Sequence, residues 1–113
     1  MKTLTVEKPW GRFEQFTLNE KTTVKIISVK RNSSLSLQYH ENRSEFWKII
    51  LGHPIVMIGD RKILAKPGDE FEIEKKEKHQ VEAVDDDVEF LEIAYGDFDE
   101  NDIVRLKDKY GRA

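Results

Sequence analysis

From Trp10 onward, short runs rich in Val, Ile, Phe and Tyr alternate with turn residues at intervals of about ten positions, the spacing of an all-β domain. The pattern predicts strands over residues 11–17, 22–30, 34–40, 45–51, 54–58, 61–65, 70–74, 79–84 and 89–95. Period-two alternation supports several of them. Val24, Ile26 and Ser28 oppose Lys25, Ile27 and Val29, and Phe71 and Ile73 are flanked by Glu70, Glu72 and Glu74. The breaks carry turn chemistry of their own. Gly59-Asp60 suits a two-residue hairpin, Asn32-Ser33 and Lys66-Pro67-Gly68-Asp69 suit loops, and Asp85-Asp86-Asp87 closes another hairpin as a solvated turn rather than a calcium site. After Tyr95 the composition changes, and Asp99 or Asn101 is placed to cap a short helix over 102–107. The expected architecture is a β-sandwich or closed barrel with a C-terminal helical turn.

Strand parity also sorts the polar residues. In the third predicted strand Ser36, Gln38 and His40 share one face, while Leu35, Leu37 and Tyr39 share the other as a packing set. Taken alone, that strand reads as an apolar core face with a polar solvent face. The next strand changes the picture, because Glu45 shares its face with Trp47, Ile49 and Leu51, and an unpartnered buried carboxylate costs several kcal/mol. Glu45 therefore calls for a cation. His79 opens a strand whose face continues through Val81 and Ala83. If these strands converge, Gln38, His40, Glu45 and His79 surround a divalent ion, a donor set suited to Zn²⁺ or another first-row metal. His53, after Gly52 in a turn, reads as a solvent-exposed imidazole. Glu92 sits with Val88, Phe90 and Ala94, where burial raises a carboxyl pKa toward that of a general base, and an edge position open to water explains it equally well. Lys25, beside Ile27 and Val29, either reaches the site or snorkels to solvent.

Composition narrows the function classes. A chain of 113 residues suits one domain, here 1–113. Its net charge of -3, with both signs interspersed, offers no basic stripe for nucleic acid. With no cysteine, a metal must be held by imidazoles, carboxylates or amides, and a cytoplasmic location is expected. No apolar run is long enough to span a membrane, and the first eight residues lack the apolar core of a signal peptide.

A His-containing strand, a Glu, a glycine, a connection, then Gly68, a strand and His79 resemble the two motifs of a cupin, which implies a double-stranded β-helix (jelly-roll barrel). A finer resemblance is carried by Pro9-Trp10-Gly11 with Phe13-Glu14, Leu35-Ser36-Leu37-Gln38-x-His40, Arg43-x-Glu45-x-Trp47, and Asp102-Ile103-Val104-Arg105-Leu106-x-Asp108-x-Tyr110-Gly111-Arg112. Together these are similar to the C-terminal domain of the type II mannose-6-phosphate isomerases, enzymes commonly fused to a mannose-1-phosphate guanylyltransferase. No Gly-rich nucleotide loop accompanies them here, so the resemblance implies the isomerase chemistry alone. It implies a metal held by Gln38, His40, Glu45 and His79, zinc first, with iron, manganese, cobalt or nickel as further candidates. The sequence departs from the family at Glu41 and Asn42, where histidines are usual, around His79, where a proline, a glycine and an arginine (here Gln80) are missing, and at Ala94.

Aldose–ketose isomerisation of mannose 6-phosphate to fructose 6-phosphate needs a base, an electrophile and a phosphate anchor. Arg43 and Glu92 are the expected catalytic pair; Arg43 also leads a set of phosphate candidates that includes Ser36, Lys25, Arg105 and Arg112. Two alternatives stand beside the isomerase: an Fe(II) oxygenase built on His40, Glu45 and His79, and a non-catalytic sugar- or sugar-phosphate-binding cupin. Exposed strand edges make a homodimer the expected state, with a phosphorylated sugar as partner and neither nucleic acid nor membrane.

Overall fold

The computed structural model describes residues 3–107. Among them are twelve strands: β1 (Leu4–Lys8), β2 (Gly11–Gln15), β3 (Thr22–Val29), β4 (Ser33–Ser34), β5 (Leu37–Tyr39), β6 (Glu45–Leu51), β7 (Ile55–Ile58), β8 (Arg61–Leu64), β9 (Glu70–Ile73), β10 (His79–Ala83), β11 (Val88–Tyr95) and β12 (Val104–Lys107). One sheet runs β3-β11-β6-β9 and a second runs β12-β5-β10-β7-β8, with β4 also on β10. β1 and β2 form a separate hairpin. All the pairings among the described residues are antiparallel.

The core lies between the two larger sheets. Trp47 and Ile49 of β6 and Phe90 of β11 meet Val56 and Ile58 of β7 and Val81 and Ala83 of β10. The alternation along β10 and β11 creates that inner face: His79, Val81 and Ala83 are buried between half-buried Gln80 and exposed Glu82, and Val88, Phe90 and Glu92 alternate with half-buried Glu89 and Leu91. Register then aligns β3, β11 and β6, so that Lys25 faces Glu92 and Glu92 faces Trp47. Gly52 is required where it stands, because its φ is +85° and a Cβ there would collide with the Asp87 carbonyl of the adjoining hairpin.

The nine expected strands are present, with two differences in detail. The strand expected over 34–40 is interrupted at Leu35 and Ser36, where Leu35 N–H donates to the Val81 carbonyl at 2.9 Å and the Gln80 amide donates to the Leu35 carbonyl at 3.1 Å. Parity is also inverted relative to burial, since Leu35, Leu37 and Tyr39 are half-buried whereas Ser36 and His40 are fully buried. Residues 4–8 form β1, for which no strand was expected, although Leu4 and Val6 alternate with Thr5 and Glu7.

The expected C-terminal helical turn is absent from the described residues. Asp99 does cap a turn, its carboxylate accepting from Asn101 N–H at 2.9 Å and its carbonyl from Asp102 N–H at 3.0 Å. The turn does not propagate, because Val104–Lys107 pairs with the open edge of β5 as β12, with Val104 opposite Tyr39 and Arg105 opposite Gln38. Alternating Val104 and Leu106 suit a strand as well as a helix, and an available ladder decides between them. No helix among the described residues is long and apolar enough to cross a membrane.

Candidate metal centre

Three side chains from three strand ends meet inside the barrel. Glu45 opens β6, His79 opens β10 and His40 directly follows β5; all three are buried. One ligand atom from each lies within 4.8 Å of the others. His40 Nε2 is 3.5 Å from Glu45 Oε2, and His79 Nε2 is 3.9 Å from Glu45 Oε1.

The outer ring nitrogens fix the tautomers. His40 Nδ1–H donates to the Asp102 carbonyl at 2.6 Å, and His79 Nδ1–H donates to the Glu77 carbonyl at 2.9 Å. A carbonyl can only accept, so both Nε2 atoms carry lone pairs and point inward. Burial, the largest influence on each, pushes both imidazoles below their usual pKa and keeps them neutral at pH 7. Two imidazole lone pairs and a carboxylate therefore face one another, an arrangement that needs a cation among them. Arg43 answers part of that need: its Nε donates to Glu45 Oε2 at 3.0 Å and its Nη2 to His40 Nε2 at 3.2 Å. Trp47 Nε1–H donates to Glu45 Oε1 at 3.1 Å. His79 Nε2 has no hydrogen-bond partner among the described residues although it is buried. An orphaned imidazole nitrogen beside a carboxylate and a second imidazole, each ring oriented by a carbonyl, fits a divalent metal ion.

The remaining expected residues divide into those brought to this centre and those engaged elsewhere. Gln38 stands directly across from His79 in the ladder, and its amide oxygen accepts from the Ser36 hydroxyl at 2.6 Å. Ser36 is thus committed to Gln38. Glu92 is buried, with its carboxyl pushed up to about 7 by burial first and by the Glu45 carboxylate second, while Arg43 and Lys25 pull it down. Lys25 Nζ lies 4.1 Å from the centre of the Phe98 ring and Arg43 Cζ lies 4.5 Å from it. Arg43 Nη1 also donates to the Asp99 carbonyl at 3.2 Å. Arg105, opposite Gln38, is half-buried and keeps a buried Nε that has no partner among the described residues. Arg112, with Asp108, Tyr110 and Gly111 of the terminal motif, lies outside the described residues. His53 is exposed as expected, paired with Asp86 at 2.9 Å.

Sequence reasoning missed Asp102 and Phe98. Besides receiving His40, Asp102 accepts the backbone N–H groups of Glu41 and Asn42 on its two carboxylate oxygens at 2.8 and 3.0 Å. One residue thereby fastens three consecutive positions of the loop that carries His40 and Arg43. The terminal motif that contains it was the available signal, and the helical reading of residues 102–107 concealed it.

Comparison with known proteins places this geometry in a family. The family described as "Mannose-6-phosphate isomerase C-terminal" matches residues 1–108. The xanthan biosynthesis protein XanB of Xanthomonas campestris pv. campestris (strain B100) is 33% identical over 109 residues, covering 95% of this chain and 23% of the relative. A mannose-1-phosphate guanylyltransferase of Salmonella montevideo is 36% identical over 110 residues, with the same two shares covered. The chain thus spans about a quarter of the length of these relatives (23%). Among solved structures, a cupin-2 domain, Rru_A2000 of Rhodospirillum rubrum, superposes with a TM-score of 0.66 at 19% identity, over 89% of this chain and 77% of that one, which shows the fold. With a cupin barrel around the His40–Glu45–His79 centre and a match across nearly its whole length, the chain belongs to the mannose-6-phosphate isomerase C-terminal family.

Proposed function

We propose that this domain is a metal-dependent aldose–ketose isomerase acting on a hexose 6-phosphate, with mannose 6-phosphate and fructose 6-phosphate as the pair interconverted. The observation that carries this reading is the meeting of three inward lone-pair donors with a buried carboxyl, Glu92, and the cations Arg43 and Lys25 in one barrel. The relatives' names point to phosphorylated mannose. His40, Glu45 and His79 hold the ion, with Gln38 as a further oxygen donor, and zinc suits the two imidazoles best. Bound there, the ion supplies positive charge for oxygens of the sugar.

The chain's own residues account for the proton movement. With a pKa of about 7, Glu92 is partly ionised near neutrality. Its carboxylate takes the proton from C2 to give an enediolate, the proton of the C2 hydroxyl passes to the C1 oxygen, and the Glu92 acid returns its proton to C1, which leaves the carbonyl at C2. Arg43 is held on three sides by Glu45, His40 and the Asp99 carbonyl, which leaves it poorly disposed to clamp a phosphate and well placed to stabilise the enediol oxygens. Phosphate binding then falls to Arg105, whose Nε is uncommitted, and to Lys25.

The test is a coupled assay of the purified domain, metal-free and reloaded with Zn²⁺, Mn²⁺, Co²⁺, Ni²⁺ or Fe²⁺, on hexose 6-phosphates in both directions. Turnover that disappears with chelator and returns with metal supports the proposal. Binding of the sugar phosphate without turnover under any metal refutes it and leaves a binding module. The Ser36–Gln38 hydrogen bond favours a second reading, since it engages the amide oxygen and leaves a compact two-His-one-carboxylate set suited to Fe(II) oxygen chemistry. Oxygen consumption on addition of Fe²⁺ distinguishes it.

A further inference from the structure

The two imidazoles of the candidate metal centre are not equivalent. His40 and His79 each donate Nδ1–H to a backbone carbonyl, which leaves one in-plane lone pair on each Nε2. At His79 that lone pair has no hydrogen-bond partner among the described residues, whereas at His40 it accepts from Arg43 Nη2 at 3.2 Å. A single lone pair serves one electrophile at a time, a guanidinium N–H or a metal ion. Glu45 is under no such restriction. Its Oε2 accepts from Arg43 Nε at 3.0 Å and its Oε1 from Trp47 Nε1 at 3.1 Å, and a carboxylate offers about four lone-pair sites, so it can keep both donors and still bind an ion.

Arg43 is also held without the help of His40. Its Nε bond to Glu45, its Nη1 bond to the Asp99 carbonyl at 3.2 Å and the Phe98 ring 4.5 Å from Cζ come from three separate residues. The contact with His40 is therefore the one that can be given up while the guanidinium stays beside the centre.

We propose that Arg43 is a competitive occupant of the metal centre: Arg43 Nη2 and the ion are alternatives at His40 Nε2, and loading of the ion releases Nη2. The size of the effect follows from the hydrogen bond. One made by a charged donor leaves the lone pair free in roughly one molecule in 10 to 100, and the apparent affinity for an ion that needs that lone pair falls by the same fraction. The charge on the guanidinium, set beside a dication, acts in the same direction. Under the proposed function, on which this one step rests, the released Nη2 is the donor that meets the sugar oxygens; the exchange at His40 does not depend on it.

The test needs only Zn²⁺ and the metal-free protein. Arg43→Gln keeps a donor for Glu45 but no group that spans Glu45 and His40 together. In competition with a chromophoric chelator at about pH 8, where both imidazoles are neutral, the variant is expected to bind Zn²⁺ about 10–100-fold more tightly than the wild type. A residue that merely supports the ligands would shift the affinity the other way. Unchanged or weaker binding by a variant with wild-type far-UV circular dichroism therefore overturns the proposal. A second measurement needs no substitution and decides the matter if the variant does not fold. In long-range ¹H–¹⁵N spectra of the metal-free wild type, the His40 Nε2 resonance is expected upfield of that of His79, because only the first accepts a hydrogen bond; coincident resonances refute the contact and the exchange with it. Neither measurement involves turnover. A protein without isomerase activity that passes both retains the exchange, and an active isomerase that fails them loses the exchange alone.

Discussion

Replacing Glu92 by glutamine separates stability from catalysis. The Glu92 carboxyl is pushed from its usual 4.5 to about 7, with burial as the first cause and the Glu45 carboxylate as the second. At 1.36 kcal/mol per pH unit, that displacement corresponds to about 3 kcal/mol. The sign follows from the order of the two pKa values. Below 4.5 both folded and unfolded chains hold the proton; between 4.5 and about 7 the unfolded chain releases a proton that the folded chain keeps, so stability falls as pH rises; above about 7 the loss is complete. The amide of the Glu92→Gln variant cannot ionise and has nearly the same volume as the carboxyl it replaces. Urea unfolding of the metal-free proteins at about pH 4 and about pH 8.5 should therefore show the variant gaining about 3 kcal/mol on the wild type between the two conditions. The same substitution should lower kcat about 10²–10⁴-fold if Glu92 is the base. An identical pH dependence of stability in both proteins would mean that the buried carboxyl does not retain its proton, and the assignment of the base would fall with it.

Further expectations concern the ligands, their supports and the core. His40→Ala and His79→Ala should each abolish retention of metal through gel filtration, read by elemental analysis, while far-UV circular dichroism is preserved; full occupancy in either variant removes the proposed centre. Asp102→Ala removes the two carboxylate hydrogen bonds to Glu41 and Asn42, and should weaken Zn²⁺ about 10–100-fold in a chelator competition. Arg105→Ala should weaken mannose 6-phosphate but not mannose in calorimetric titrations, because its uncommitted Nε is the proposed phosphate contact; equal losses count against that role. Trp47→Ala should cost about 3–5 kcal/mol of stability in urea unfolding, since Trp47 fills the space between His79 and Phe90.

The residues of the candidate metal centre were legible because strand parity is a local property. Glu45 among Trp47 and Ile49, and His79 ahead of Val81 and Ala83, stand out wherever the strands lie, and a buried charge without a partner is expensive in any β fold. Parity also placed Glu92 correctly on the inner face. Two inferences that depended on a neighbour failed. Residues 102–107 have a composition that admits either helix or strand, and the open edge of β5 selects the strand. Leu35, Leu37 and Tyr39 look like packing residues, yet they are only half-buried, and the more deeply buried positions are Ser36 and His40 on the opposite face.

The orientation of the two imidazoles was invisible for a different reason. It depends on backbone carbonyls at Asp102 and Glu77, and every residue carries such a group, so no residue type at either position announces it. The departures from the family pattern around His79 can be weighed on this basis. Lys75 to Lys78 lack the usual proline and glycine, but the Glu77 carbonyl still receives His79 Nδ1–H, Lys76 N–H donates to the His40 carbonyl at 2.7 Å, and Gly59 N–H donates to the Lys78 carbonyl at 2.8 Å. Since the main chain supplies these contacts, the altered loop keeps His79 aimed at Glu45 with a different set of side chains. The loss that remains is the guanidinium at Gln80, whose amide now donates to the Leu35 carbonyl and braces the interrupted strand. The variation therefore leaves the donor set intact, and under the proposed function its effect falls on how the phosphorylated sugar is bound.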